Sequence, residues 1–218
     1  MVLPLASVPG SRAPLSTTTK LLRLIGSWVI IGIGVPLLVR AQLGPAPFDV
    51  LNLGVQHQTG WSFGLCFVVN SLVFFALGAV LGAPPGWASI LGTIVIGPMI
   101  NLWLRLLPDR PELLIRVPML LAGIAIVGIG ICLVVTTEYG AGPTEVIMLG
   151  LVHRGMGIVP ARWLSDGSPV VIGLLLGGTM GIGTVLFAVT MGPIVKLGLR
   201  WLHYEPARQR LEAAATGF

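Results

Sequence analysis

From Gln58 to Leu104 the chain runs 47 residues without an Asp, Glu, Lys, Arg or His. At about 1.5 Å per residue this is enough helix to cross a bilayer twice, since roughly 20 apolar residues span the hydrocarbon core. The turn between the crossings falls at "GAPPG", Gly82–Gly86. Paired prolines between glycines end one helix before the next begins. Leu24–Val39, between Arg23 and Arg40, and Val117–Thr137, between Arg116 and Glu138, each supply one further crossing.

Only 10% of the residues are charged and 55% are hydrophobic, with a mean hydropathy of +0.94. A soluble domain is nearer a quarter charged. The expectation is an all-α, polytopic integral membrane protein whose main partner is the lipid bilayer. The net charge of +5 sits at the ends of apolar runs, as membrane topology requires, so no nucleic-acid partner is expected.

Only 29 residues separate Asp166 from Lys196, and "LGGTMG", Leu176–Gly181, breaks them. Two crossings do not fit between those charges, so Asp166 is expected within the membrane. Six spans result, at about 22–43, 61–82, 87–107, 114–137, 159–178 and 181–202.

The chain repeats itself. At an offset of 96, "IGIGVPLLV" (Ile31–Val39) matches "VGIGICLVV" (Val127–Val135), and "GPAPFDVLNLG" (Gly44–Gly54) matches "GAGPTEVIMLG" (Gly140–Gly150). At an offset of 95, "GPMINLWLRLL" (Gly97–Leu107) matches "GPIVKLGLRWL" (Gly192–Leu202). Three matches in one order indicate duplication. Three spans per copy is an odd number, so the second copy enters from the opposite face, giving two inverted repeats. The expected organisation is a disordered tail over 1–20, repeats over 21–107 and 114–203, a loop over 108–113 and a cytoplasmic tail over 204–218. Arg12, Lys20, Arg23, Arg154, Lys196, Arg200, Arg208 and Arg210 on one face, against Arg40, Arg105, Arg110 and Arg116 on the other, place both termini in the cytoplasm.

Pro47–Thr59 and Pro143–Gly155 are too short to span and are expected as re-entrant or interfacial helices. Each opens on proline, which suits the first helical position. Asp49 and Glu145 fall in the first turns, at the positive end of the dipole, and His57 and His153 in the last turns. Two readings stay open. The carboxylates cap these helices, or they are ligand and proton sites in a broken element that lines a cavity.

Arg162 and Asp166, four apart in the fifth span, are expected to pair. At offset 96 they align with Cys66 and Asn70, which makes Asn70 a further candidate. The pair either holds helices together or faces a cavity. Asn101 and Lys196 also correspond, with Asn101 expected to bond a neighbouring helix. Cys66 and Cys132 read as small buried hydrophobes, with no metal-ligand spacing.

The stretches "GPAPFDVLNLGVQHQTGWSFG", "GAGPTEVIMLGLVHRGMGI" and "GGTMGIGTVLFAVTMGPIV" resemble the YczE branch of the YczE/YitT group of bacterial membrane proteins, over about residues 22–203. The motif positions are Gly44, Pro47, Gly142 and Pro143 before the short helices, then Gly183, Thr184 and the Gly-Pro pairs Gly97–Pro98 and Gly192–Pro193. The resemblance implies a small inner-membrane protein with no established biochemical activity and with transport as its expected role. No nucleophile, cofactor or phosphate-loop signature is present, so no enzymatic activity and no cofactor or metal are expected. The expected function is secondary transport of a small solute, with Asp49, Glu145 and Asp166 as binding or proton-coupling groups. The alternative is a non-transporting scaffold supporting a partner enzyme or assembly, as in secondary metabolism, with a homo-oligomer or a partner protein.

Overall fold

A computed structural model describes residues 15–108 and 112–202. The expected tails, apart from residues 15–20, and the centre of the 108–113 loop lie outside the described residues, as do Arg12, Arg110, Arg208 and Arg210.

The described residues form eight helices in order: α1 (Thr17–Ala41), α2 (Pro47–Thr59), α3 (Phe63–Val80), α4 (Trp87–Leu106), α5 (Leu113–Thr137), α6 (Pro143–His153), α7 (Ile158–Leu175) and α8 (Ile182–Trp201). No strand occurs among the described residues. The same order of one long, one short and two intermediate helices recurs in both halves. Helix α1 begins at Thr17, before the expected boundary, because the Ser16 hydroxyl caps it by accepting from the Thr19 N–H at 3.2 Å.

Among the described residues, five helices are long and apolar enough to cross a membrane: α1, α3, α4, α5 and α8. Helix α7, the expected fifth span, is not among them. It carries Arg162, Asp166 and two serines in 18 residues.

Helices α1 and α5 cross as the central pair. They run antiparallel, since Lys20 at the start of α1 pairs with Glu138 at the end of α5 at 3.6 Å. The glycines of "IGIG" and "VGIG" make the crossing close. Gly34 abuts Val127 and Ile126, and Gly130 abuts Ile31 and Ile30. A side chain at either glycine has no room, which is how small residues let membrane helices approach.

The short helices are held in matching ways. Gly54 of α2 lies against Gly173 and Leu176 of α7, while Gly150 of α6 lies against Gly78 and Leu81 of α3. The loop before α2 is fastened to the start of α8 through Gly183 N–H to Leu43 O at 2.7 Å. The loop before α6 is fastened to the start of α4 by Ser89, whose hydroxyl donates to Ala141 O at 2.8 Å and accepts from Ala141 N–H at 2.9 Å. Leu51 of α2, Phe74 of α3 and Ile147 of α6 share one buried apolar cluster, so the two short helices reach toward a common centre.

The halves differ at one seam. Helix α4 packs along α3, but α8 leans on α5 and does not pack along α7. The α3–α4 seam is closed by contact between Gly64 and Gly97 and by Asn101. The Asn101 carbonyl accepts from Gly64 N–H at 2.8 Å, and its amide donates to the Ser62 hydroxyl at 3.0 Å. At offset 95 the second half has Gly157, Val159, Gly192 and Lys196 in place of Ser62, Gly64, Gly97 and Asn101. A β-branched side chain replaces the glycine and the amide acceptor is gone, so this latch has no equivalent. A Cβ at Gly192 meets nothing within 4 Å.

Candidate functional site

Two polar centres sit beside the short helices. The first joins Asp49 and Asn52 of α2 to Asn70 of α3. The Asn52 amide donates to Asp49 Oδ1 at 3.0 Å, and the Asn70 amide donates to Asn52 Oδ1 at 2.8 Å. All three are buried. Proline at the start of α2 sets the helix, and the i to i+3 spacing then puts Asp49 and Asn52 on one face. Asn52 was not among the expected residues, although its spacing from Asp49 was a readable signal.

The second centre joins Glu145 of α6 to Arg162 and Asp166 of α7. Arg162 Nε lies 2.6 Å from Asp166 Oδ2, and Arg162 Nη1 lies 3.2 Å from Glu145 Oε1. The Thr144 hydroxyl donates to Glu145 Oε2 at 3.4 Å. The three charged side chains are 30–40% exposed, so this centre is open where the first is sealed. One guanidinium serves two carboxylates, leaving a formal charge of −1.

The expected Arg162–Asp166 pair is present, but the expected alignment is corrected. Helices α3 and α7 are each 18 residues long and start 95 apart, because the segment linking α6 to α7 is one residue short relative to the first half. The matching contacts of Gly78 and Gly173 confirm that register. Arg162 therefore corresponds to Phe67 and Asp166 to Ser71, not to Cys66 and Asn70. Where the second half holds charges, the first packs the Phe48 and Phe67 rings edge to face at 6.0 Å. The two centres are thus not copies of each other.

The histidines stand apart from both centres. His57 rests on Gly177 and His153 on Gly82, two glycines with φ of +88° and +96°. Both imidazoles are exposed at the ends of the short helices, and neither reaches a carboxylate of either centre. The motif residues serve the scaffold. Pro47 and Pro143 start α2 and α6, Gly142 precedes α6, and Gly44, with φ of +113°, lies against Gly181 and Thr184. Pro98 and Pro193 lie inside α4 and α8. Cys66 and Cys132 are buried and free. A surface cavity of about 460 Å³ lies elsewhere, between Arg40, Gln56, Asn101 and Arg105, and touches neither centre.

Residues 18–200 match the Family of unknown function (DUF6198). The chain belongs to that family. It is 33% identical over 171 residues to an uncharacterized protein of Haemophilus influenzae, covering 78% of each chain. It is 24% identical over 198 residues to the uncharacterized membrane protein YczE of Bacillus subtilis, covering 86% of this chain and 91% of that one. The uncharacterized protein YyaS of Bacillus subtilis is 26% identical over 165 residues, covering 72% and 81%. The likeness to YczE over most of the chain agrees with the resemblance read from the motifs, and with the apolar helices it supports a multi-pass membrane location. No solved structure matches.

Proposed function

We propose that this protein is a secondary transporter of the bacterial inner membrane that carries a small solute, with no enzymatic step. The observation that carries the reading is the Glu145–Arg162–Asp166 centre: three ionised groups, 30–40% exposed, where the short helix α6 packs on α7. Charges at membrane depth are expensive and mark ion or solute pathways by default. In this reading α7 crosses as the fifth of six spans, and the halves are inverted repeats with both termini in the cytoplasm. The short helices α2 and α6 are re-entrant and both reach the Leu51–Phe74–Ile147 cluster, which in this reading lies near the midplane, where such carriers place their sites. Asp49 with Asn52 and Asn70 forms the sealed counterpart on the other side.

Proton coupling gives a test. Inverted membrane vesicles carrying the protein are given a pH gradient, and a panel of small organic cations, anions and zwitterions is added. At least one class should dissipate the gradient, and Asp166→Asn should abolish that response while remaining folded. A panel-wide lack of response, in protein shown to be folded, points instead to a non-transporting scaffold.

A further inference from the structure

We infer that the cavity between the ends of α1, α2 and α4 binds an oxyanion of the phosphate class, presented as an anionic lipid headgroup or as a free small anion. This goes beyond the transport reading and does not rest on it.

The cavity holds about 460 Å³, within the range of about 300–1,000 Å³ that ligand sites occupy. Arg40 reaches it from the last turn of α1, Gln56 from the last turn of α2, Arg105 from the last turn of α4 and Ser62 from the start of α3. Hydrogen-bond donors therefore converge on it from four elements. Asn101 accepts from Gly64 N–H and donates to the Ser62 hydroxyl, so Ser62 is held with its own O–H left to donate. The Gln56 side-chain amide has no hydrogen-bond partner among the described residues.

Two guanidiniums line the space, and no carboxylate among the described residues does. Helix C-termini favour basic residues near their carbonyls, which accounts for one of the two. Arg40 crosses from α1 and donates to the Leu104 carbonyl at the end of α4. Arg105, beside Leu104, makes no hydrogen bond or ion pair among the described residues. Its guanidinium is free to meet a ligand. The loop that follows does not cancel the charge. Arg40, Arg105, Arg110 and Arg116 stand against Asp109 and Glu112, a net +2. In the proposed orientation this is the outward face, which topology leaves poor in basic residues, so orientation does not explain the arginines.

Chemistry decides the occupant. A guanidinium fork matches the oxygens of a phosphate or a carboxylate. One fork serves a planar carboxylate, whereas two guanidiniums, an amide and a hydroxyl from four elements suit the several oxygens of a tetrahedral phosphate. Trp61 and Leu106, exposed and adjacent in sequence to Ser62 and Arg105, put the cavity at headgroup level, where aromatic residues collect. Duplication did not produce this donor set, since the counterparts of Arg40, Gln56 and Ser62 are Thr136, Val152 and Gly157.

The test is thermal unfolding of the full chain in a neutral maltoside detergent at constant ionic strength. A ligand of the folded state raises the melting temperature saturably. Inorganic phosphate, dihexanoyl phosphatidylglycerol and dihexanoyl phosphatidylcholine are titrated, the lipids below their micelle concentrations. A saturable rise with phosphatidylglycerol alone assigns a lipid headgroup, and a saturable rise with inorganic phosphate assigns a free anion. Phosphatidylcholine, whose ammonium offsets its phosphate, should bind more weakly than phosphatidylglycerol. Arg105→Gln and Gln56→Leu remove side chains that hold no protein hydrogen bond, so both should fold and both should weaken binding. Arg105→Gln should shift the midpoint by about tenfold or more, the scale of a lost hydrogen bond to a charged group. Arg200→Gln, the same charge change at the counterpart of Arg105, should leave the midpoint where it was. No saturable rise with either phosphate or phosphatidylglycerol, equal midpoints for the two lipids, or equal effects of Arg105→Gln and Arg200→Gln each overturn the inference.

Discussion

Nε of Arg162 lies 2.6 Å from Oδ2 of Asp166, one turn along α7, and the same guanidinium reaches Glu145 on α6. The pair visible in the sequence is therefore part of a triad, and that changes what its removal does. A lone charge at the centre of a membrane helix costs roughly 2.5–3.5 kcal/mol on insertion scales, an upper bound for groups this exposed. Arg162→Ala strands two carboxylates and should lower folded yield most. Arg162→Ala with Asp166→Ala still strands Glu145 and should recover only part. Adding Glu145→Gln should restore the yield. Gel filtration in detergent reads the order, and full recovery in the double variant would remove Glu145 from the triad.

The closed seam gives a paired prediction. A Cβ on Gly64 would run into the Gly97 carbonyl and the Asn101 side chain, whereas a Cβ on Gly192 meets nothing. Overpacking a tight contact costs about 1–3 kcal/mol, and a change facing open space stays within about 0.5 kcal/mol. Gly64→Ala should therefore lower the melting temperature, and Gly192→Ala should leave it unchanged. Equal shifts would mean that the two seams pack alike.

The sealed centre is a chain of amides ending on a carboxylate. Asn52 is its middle link, donating to Asp49 and accepting from Asn70. Asn52→Ala leaves both neighbours buried without that partner, at about 1–3 kcal/mol. Asp49→Asn keeps an acceptor in place and removes a buried acid, so stability should hold or rise. A large loss of thermal stability in Asp49→Asn would show that the carboxylate itself holds the fold.

Orientation has its own check. In the inverted-repeat arrangement the α3–α4 turn faces the cytoplasm and the α7–α8 turn faces outward. Cysteines at Pro84 and Thr179 should react with an impermeant thiol reagent from opposite sides. Labelling of both from one side would mean that α7 does not cross.

Much of this was legible in the sequence because lipid leaves a coarse signature: uncharged runs, prolines at turns and a duplicated order of motifs. The glycines of "IGIG" and "VGIG" marked helices able to pack closely, but not that α1 and α5 would be the pair. Two more things were not legible. The change of offset from 96 to 95 was visible on either side of α6, but no motif marks the missing residue, so Arg162 was set against Cys66 instead of Phe67. Glu145 lies 17 residues before Arg162, and only the fold of α6 onto α7 shows that they meet. His57 and His153 sat at dipole-favoured positions, which is a local reason for their presence and no guide to a site.

Secondary transport through the Glu145–Arg162–Asp166 centre requires solvent to reach it from each side of the membrane in turn, which two-sided labelling beside Asp166 tests directly. Gly167 is the neighbouring residue, and a Cβ there meets nothing within 4 Å. Gly167→Cys, in a background with Cys66 and Cys132 replaced by alanine, is exposed to an impermeant thiol reagent in right-side-out and in inverted vesicles. Alternating access requires labelling in both preparations, with transported solute or a pH gradient raising one rate as it lowers the other. Labelling from one side only, at a rate that neither condition alters, would contradict it.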